Sequence, residues 1–227
     1  MGSAAAALLS AQRNQWVTTF AAHRDMYGTD PSEAAVAAAE LFAENGVGDL
    51  VELGAGQGRD TLYFAKGGLQ VRALDYAPDA LDAIREKASS AGLADRVTVR
   101  QHDVREPLPL SDDEAGACYS HMLFCMALTT PELEQLSSEV GRVVRPGGLV
   151  VYTARTTDDA HYGTGISRGD GMYEHGGFIV HFFDHALIDR LAAGFELLDV
   201  AEFTEGDLPR RLARVTMQVP PGGIRRA

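Results

Sequence analysis

Apolar residues in this chain follow two alternating rhythms. Short apolar or alternating runs read as strands: "GDLVELG" (48–54), "LQVRALDYA" (69–77), "RVTVRQHDV" (96–104), "EAGACYSHMLF" (114–124) and "LVVYTAR" (149–155). Between them the apolar positions recur with helical spacing, in "RDTLYFAKGG" (59–68), "PDALDAIREKASSAG" (78–92), "TPELEQLSSEVGRVVRPGG" (130–148) and "FFDHALIDRLAAG" (182–194). Two further helices, 8–28 and 32–45, precede the first strand. "TDPSEAA" supplies the start of the second, with Asp30 or Ser32 as cap and Pro31 in its first turn. "FELLDVAEFTEG" and "RRLARVTMQV" close the chain as a hairpin. Alternating strands and helices dictate an α/β domain, a parallel sheet wound on both faces. The expectation is one domain over 1–227, with 1–45 as a helical cap and 156–181, rich in glycine and longer than a simple connector, as a lid.

Charge narrows the partners. The formal net charge of −12 over 227 residues disfavours nucleic acid and anionic membranes, which reward basic patches, and leaves a small molecule as the expected partner. Cys118 and Cys125 lie in an apolar run and suit a reduced, cytoplasmic setting better than a disulfide framework. No apolar run reaches membrane-spanning length, and the first residues lack the basic and apolar regions of a secretory signal. The sequence is silent on oligomeric state.

The candidate chemistry begins in "VELGAGQGRD" (51–60). In doubly wound sheets ligands sit at the carboxyl ends of the strands, and this glycine turn follows the first of them. Gly54, Gly56 and Gly58 are spaced Gly-x-Gly-x-Gly, with Arg at 59, so the dinucleotide fingerprint is not met; no Gly-Lys-Ser/Thr follows, so neither is the phosphate loop. Glu52 beside the turn repels a pyrophosphate and attracts an ammonium. Asp75 ends the second strand, 21 residues after Gly54, where an acid accepts hydrogen bonds from ribose hydroxyls. Tyr76 is placed to lie on an adenine face, and Asp103 ends the third strand, where it can accept from an adenine amino group. The bland alternative, a structural strand-to-helix turn with turn-forming acids, requires all three strand ends to coincide by accident.

These stretches together resemble the class I S-adenosylmethionine-dependent methyltransferases: "ELGAGQG" for the first motif, "ALDYA" for the second, "HDV" for the adenine-side motif, and "EVGRVVRPGGLVVYT" for the helix, turn and fifth strand. The resemblance runs from about residue 48 to 155. It implies a Rossmann-like, seven-stranded, mostly parallel sheet with an antiparallel last strand. It implies S-adenosyl-L-methionine as cofactor, with Glu52, Gly54 and Gly56 around its methionine part, Asp75 on the ribose, and Asp103 and Val104 on the adenine side. Within the family, "GAGQGRDTLYFAKGG" and the late "YGTG…GFIVHFF" region look like the tellurite-resistance and thiopurine-type enzymes, which act on small soft nucleophiles. The rival class is a cofactor-binding protein without transferase activity, or a nucleotide-cofactor oxidoreductase on a similar sheet.

The acceptor side is marked less sharply. His121 follows the fourth strand, where the fold delivers residues to the acceptor. The segment 156–181 carries His161, Tyr162, Arg168, Tyr173, His175 and His181; their histidine spacings match no short metal motif, so no metal is expected. His121, Tyr162 and His175 are the catalytic candidates, against the alternative that each is structural. Trp16, Phe20, His23 and Tyr27, spaced 4, 3 and 4 apart, share one helix face, read either as core packing or as a helix closing over the cofactor. Arg59 can hold an anionic substrate group or be a plain surface residue.

Overall fold

The computed structural model describes residues 3–23, 26–206 and 210–224. Its main sheet has seven strands: β1 (Asp49–Leu53), β2 (Gln70–Asp75), β3 (Val97–Gln101), β4 (Ala115–Ser120), β5 (Val144–Arg155), and the late pair β9 (Glu196–Glu205) and β10 (Arg210–Gln218). The strand order is β3-β2-β1-β4-β5-β10-β9, and β10 alone runs antiparallel to its neighbours. This is the expected Rossmann-like sheet. The order reverses between β1 and β4, so the carboxyl ends of those two strands form the crevice.

β4 shows why the centre of the sheet is where it is. All six of its residues are buried, so both faces must be covered, and its near-continuous apolar sequence meets that demand. On one face α2 (Glu33–Glu44) and α3 (Arg59–Lys66) pack Phe42 and Phe64 against Leu50, Val71 and Val151. On the other, α5 (Thr130–Val143) and α6 (His185–Leu191) bury Leu133, Leu136, Val140 and Leu187 with Phe124 and Tyr152, whose rings stack at 4.4 Å. The edge strand β9 is largely exposed, which its mixed "ELLDVAEFTE" sequence permits. Cys118 and Cys125 are free and buried. Among the described residues, no helix is long and apolar enough to cross a membrane.

Three expectations about local structure change. First, α1 (Ser3–Ala22) ends well before Tyr27, so Tyr27 does not share the helix face of Trp16 and Phe20. The helix stops where the Gln57 amide donates to the Phe20 and His23 carbonyls, at 3.3 and 2.5 Å, and so terminates it. Second, Ser32 is the cap of α2, accepting from Ala35 N, and Pro31 lies one position before it rather than in the first turn. Third, 156–181 is not irregular throughout.

Its later part, 166–181, folds into a three-stranded antiparallel sheet: β6 (Ile166–Gly169), β7 (Met172–His175) and β8 (Phe178–His181). Asp170 and Gly171, at φ 52° and 71°, make the first turn; Gly176 and Gly177, at 56° and 86°, make the second. Asp-Gly and Gly-Gly are the pairs that two-residue hairpins with positive φ prefer. Gly171, Gly176 and Gly177 therefore shape tight turns. The small sheet is pinned on three sides. The buried Gln12 of α1 donates to the Gly177 carbonyl and accepts from Ile179 N, at 2.6 and 3.0 Å. Asp170 accepts from the Thr130 amide and hydroxyl at the start of α5, at 2.6 and 2.8 Å. Asp159, ahead of β6, is paired with Arg155 at the end of β5 and accepts from Arg211 N of β10 at 2.8 Å.

Candidate active site

The glycine turn after β1 is a constrained loop. Gly54, Gly56 and Gly58 sit at φ 70°, 51° and 84°, a region that residues with a Cβ rarely occupy. A Cβ on Gly54 would fall 2.9 Å from Leu123 Cβ, and one on Gly58 2.6 Å from Ile84 of α4 (Pro78–Ser90). The loop therefore needs glycine for conformation and for close approach alike.

Asp75 holds the loop in place. One carboxylate oxygen accepts from Gly56 N and the other from Ala77 N, each at 2.9 Å. The group is buried, which pushes its pKa up, and the backbone donors at Ala77 and Gly56 oppose that rise. Each oxygen keeps a second acceptor position, so the arrangement accommodates ribose hydroxyls as well as the loop.

Glu52, at the end of β1, is 3% exposed. Burial first, then the neighbouring Asp60 charge, raise its pKa well above the ordinary carboxylate value, and the Thr61 hydroxyl, which donates to it, offsets only part of this. A carboxylate so placed gains most from a cation brought beside it. With Asp75 and Asp103 the set of acceptors is acidic at three strand ends, which fits a cationic sulfonium-and-ammonium cofactor and not a pyrophosphate. Asp103 accepts from the Arg105 amide and guanidinium at 3.2 and 3.3 Å. Tyr76 is half-buried against α1 beneath Arg13, and Val104 packs on the core edge.

Two polar residues here escaped the reading of the sequence. Asp60 is buried and accepts from Ser32 N and Ser32 Oγ at 2.8 Å and from the Tyr119 hydroxyl at 3.1 Å, tying α2, α3 and β4 under the loop. Gln57 fastens α1 over it, and Phe20 lies 3.5 Å from where a Gly56 Cβ would stand. Nothing in local spacing marks either residue, since their partners lie far along the chain.

Across the crevice, His121 follows β4. Its Nε2 is 3.2 Å from Glu205 of β9, and its Nδ1 is 3.0 Å from the Thr153 hydroxyl of β5, which also accepts from Met122 N. Met122 holds φ 64°, a strained value for a side chain of that size. Arg59 is neither free nor a plain surface residue: it lies 3.5 Å from Glu205, 5.7 Å from the centre of the Tyr27 ring, and donates to the Tyr27 carbonyl. Burial alone would raise the Glu205 pKa, but the hydrogen bond with His121 and the Arg59 and Arg210 charges outweigh it and leave the pKa lowered.

The remaining candidates sit in the small sheet and in the turn before it. Tyr162 meets Tyr173 and Phe182 edge-on, and His175 stacks on His161 at 4.6 Å. Among the described residues, the ring contacts and hydrogen bonds of Tyr162 and His175 stay within the small sheet and its flanking turns and do not reach His121. His181 is buried, with Nδ1 2.7 Å from the Leu128 carbonyl, a structural placement. Its amide donates to the Cys125 carbonyl, so the cap rests on the loop that carries His121. Arg168 pairs with Glu174 inside the cap.

Residues 50–148 match the model of the methyltransferase domain family. Methyltransferase GfsG of Streptomyces halstedii is 26% identical over 166 residues, covering 70% of this chain and 57% of GfsG. The chain spans just over half the length of the first curated relatives it matches. Among solved structures, the 1,6-didemethyltoxoflavin-N1-methyltransferase of Burkholderia thailandensis superposes with a TM-score of 0.72 at 21% identity, over 95% of this chain and 88% of that one. TehB from Haemophilus influenzae superposes at 0.64 and 16% identity, over 82% and 62%. Residues 50–148 thus match a methyltransferase domain, on a fold that the chain shares with these solved methyltransferases.

Substituting Asp75 by Asn tests the loop and the ligand together. An amide nitrogen cannot accept, so either Gly56 N or Ala77 N loses its partner, and a ribose placed there would lose a charged acceptor. S-adenosylhomocysteine affinity should fall by roughly 10- to 100-fold, or about 1.5–3 kcal/mol, in titration calorimetry. Unchanged affinity would remove Asp75 from the site.

Proposed function

We propose that this chain transfers the methyl group of S-adenosylmethionine to a small-molecule acceptor. The observation that carries the reading is the loop itself: three positive-φ glycines clasped by Asp75 through Gly56 N, with the buried acid Glu52 alongside and a polar cluster on the opposite side of the crevice. Glu52, Gly54 and Gly56 hold the methionine end, Asp75 the ribose, and Tyr76, Asp103 and Val104 the adenine side. His121 stands at the acceptor end, with Tyr162 and His175 in the cap beyond. The bound cofactor supplies an electrophilic methyl on a sulfonium. The chain's residues align the nucleophile with it, exclude water and receive a proton. The net charge of −12 supports a small acceptor over a nucleic acid.

Incubation with methyl-labelled S-adenosylmethionine and an extract of small metabolites should yield labelled product. S-adenosylhomocysteine should bind in the micromolar range, about −8 kcal/mol, and NAD should not. Tight NAD binding without S-adenosylhomocysteine binding would favour an oxidoreductase. Binding without any labelled product would favour a protein that carries the cofactor and does not turn it over.

A further inference from the structure

The cluster at the acceptor end has a proton inventory. Thr153 Oγ1 accepts the Met122 amide proton at 2.9 Å and lies 3.0 Å from His121 Nδ1. A hydroxyl carries one proton, and giving it to Nδ1 leaves its lone pairs for Met122. His121 is then protonated on Nε2, which donates to Glu205 Oε2 at 3.2 Å. The opposite tautomer would set a nitrogen lone pair against a carboxylate at that distance. Both ring nitrogens are thus occupied by protein partners, and the ring has no lone pair to offer a substrate.

Glu205 is different. Its side chain is more open than that of His121, 21% against 13% exposed. Its second oxygen faces Arg59 at 3.5 Å, an ion-pair distance that leaves acceptor positions free. It ends β9, which runs parallel to β5, so it stands on the same edge of the sheet as the glycine loop. Arg59, first residue of the helix after that loop, reaches it directly. The charged and titratable groups that face it are His121, Arg59, Arg210 and Tyr27.

We infer that Glu205 is the group that receives the acceptor's proton, that His121 and Thr153 position it, and that the acceptor is a neutral hydroxyl or N–H nucleophile, not a thiolate. This rests on the transferase reading above. The nucleophile's lone pair forms a bond to the methyl carbon, the carbon–sulfur bond breaks with its electron pair going to sulfur, and the nucleophile's proton goes to the Glu205 carboxylate. As the new bond forms, positive charge grows on the nucleophile and its proton becomes strongly acidic, so a carboxylate kept ionised by His121 and Arg59 is base enough. A thiol that ionises in solution near neutral pH needs no such group. The soft-nucleophile resemblance is thereby narrowed.

The test compares catechol and thiophenol as probes in wild type, Glu205→Gln, Glu205→Asp, His121→Gln and His121→Leu. Glu205→Gln should lower kcat on catechol by roughly 100-fold or more, with Glu205→Asp recovering part of it. The KM for S-adenosylmethionine should stay within about twofold, because the loss is made in the transition state. Thiophenol turnover, where present, should fall less than about threefold. His121→Gln keeps a donor to Glu205 and should lose less than His121→Leu. Nitrogen chemical shifts of His121 in the free protein should report the Nε2–H tautomer, mixed in Thr153→Val. Equal loss on both probes, no loss on catechol, or an Nδ1–H tautomer overturns the inference. Methylation of thiophenol but not catechol overturns the acceptor class while the transferase reading stands. Methylation of neither probe, with S-adenosylhomocysteine still bound, removes the acceptor reading and this inference with it.

Discussion

Gly56→Val is expected to abolish S-adenosylhomocysteine binding while the protein still folds. Three effects converge at this position. Its φ of 51° costs a β-branched residue about 1–2 kcal/mol. Its Cβ stands 3.5 Å from the Phe20 ring, so the first carbon fits but the two methyl groups of valine must push Phe20 and α1 away from the loop. Its amide donates to Asp75, and a shifted backbone breaks that clasp at the residue expected to hold the ribose. The fold should survive, because the loop lies at the edge of the sheet and Phe20 belongs to a small satellite cluster with Ala77 and Ala80. Calorimetry should show affinity lowered by more than roughly 100-fold, about 2.7 kcal/mol or more. Melting should shift by only a few degrees, at about 2–4 °C per kcal/mol for a chain of this size. A folded variant with parental affinity would mean that the loop does not touch the ligand.

Arg155→Met should produce the largest loss of stability. Arg155 and Asp159 are both buried, at 6% and 4% exposed. The carboxylate accepts from Arg155 twice, from His161 N at 2.9 Å and from Arg211 N at 2.8 Å, and Arg155 also lies over the Phe182 ring at 5.2 Å. Methionine fills much of the volume but leaves Asp159 charged without its partner, at a cost of about 3–5 kcal/mol. Thermal unfolding should fall by on the order of 10 °C. Burial raises the Asp159 pKa, and the bonds from Arg155, His161 and Arg211 outweigh it, so its folded value lies below the ordinary one. The sign follows: its contribution is present above the unfolded carboxylate pKa and is lost as pH falls through the lowered folded value. The destabilisation by Arg155→Met should therefore be large at neutral pH and shrink in acid. A melting temperature unchanged at neutral pH would show that the pair does not anchor the cap.

The division between sequence and tertiary structure runs through particular residues. Strand and helix periods, the Pro78 and Ser32 start signals and the apolar β4 were legible because each depends on neighbours within a turn or two. The glycine loop and the positions of Glu52, Asp75 and Asp103 were legible for a related reason: a strand end in a wound sheet has only one place to be. The turns at Asp170–Gly171 and Gly176–Gly177 were legible in principle, since the dipeptides themselves demand positive φ, and the length of the segment masked them.

What the sequence by itself determined is the sheet, its crevice and the acids at its strand ends. Backbone sterics, hydrophobic period and the order of elements suffice for that. What only the tertiary structure decided is who meets whom across the crevice: Gln57 ending α1, Asp60 joining Ser32 to Tyr119, and His121 held between Thr153 and Glu205. Those contacts join residues 28 to 87 positions apart, and no local signal encodes them. The last of them exists because β5 and β9 end at the same edge as β4, and a burial pattern repeated along a chain carries no information about which strands will share that edge.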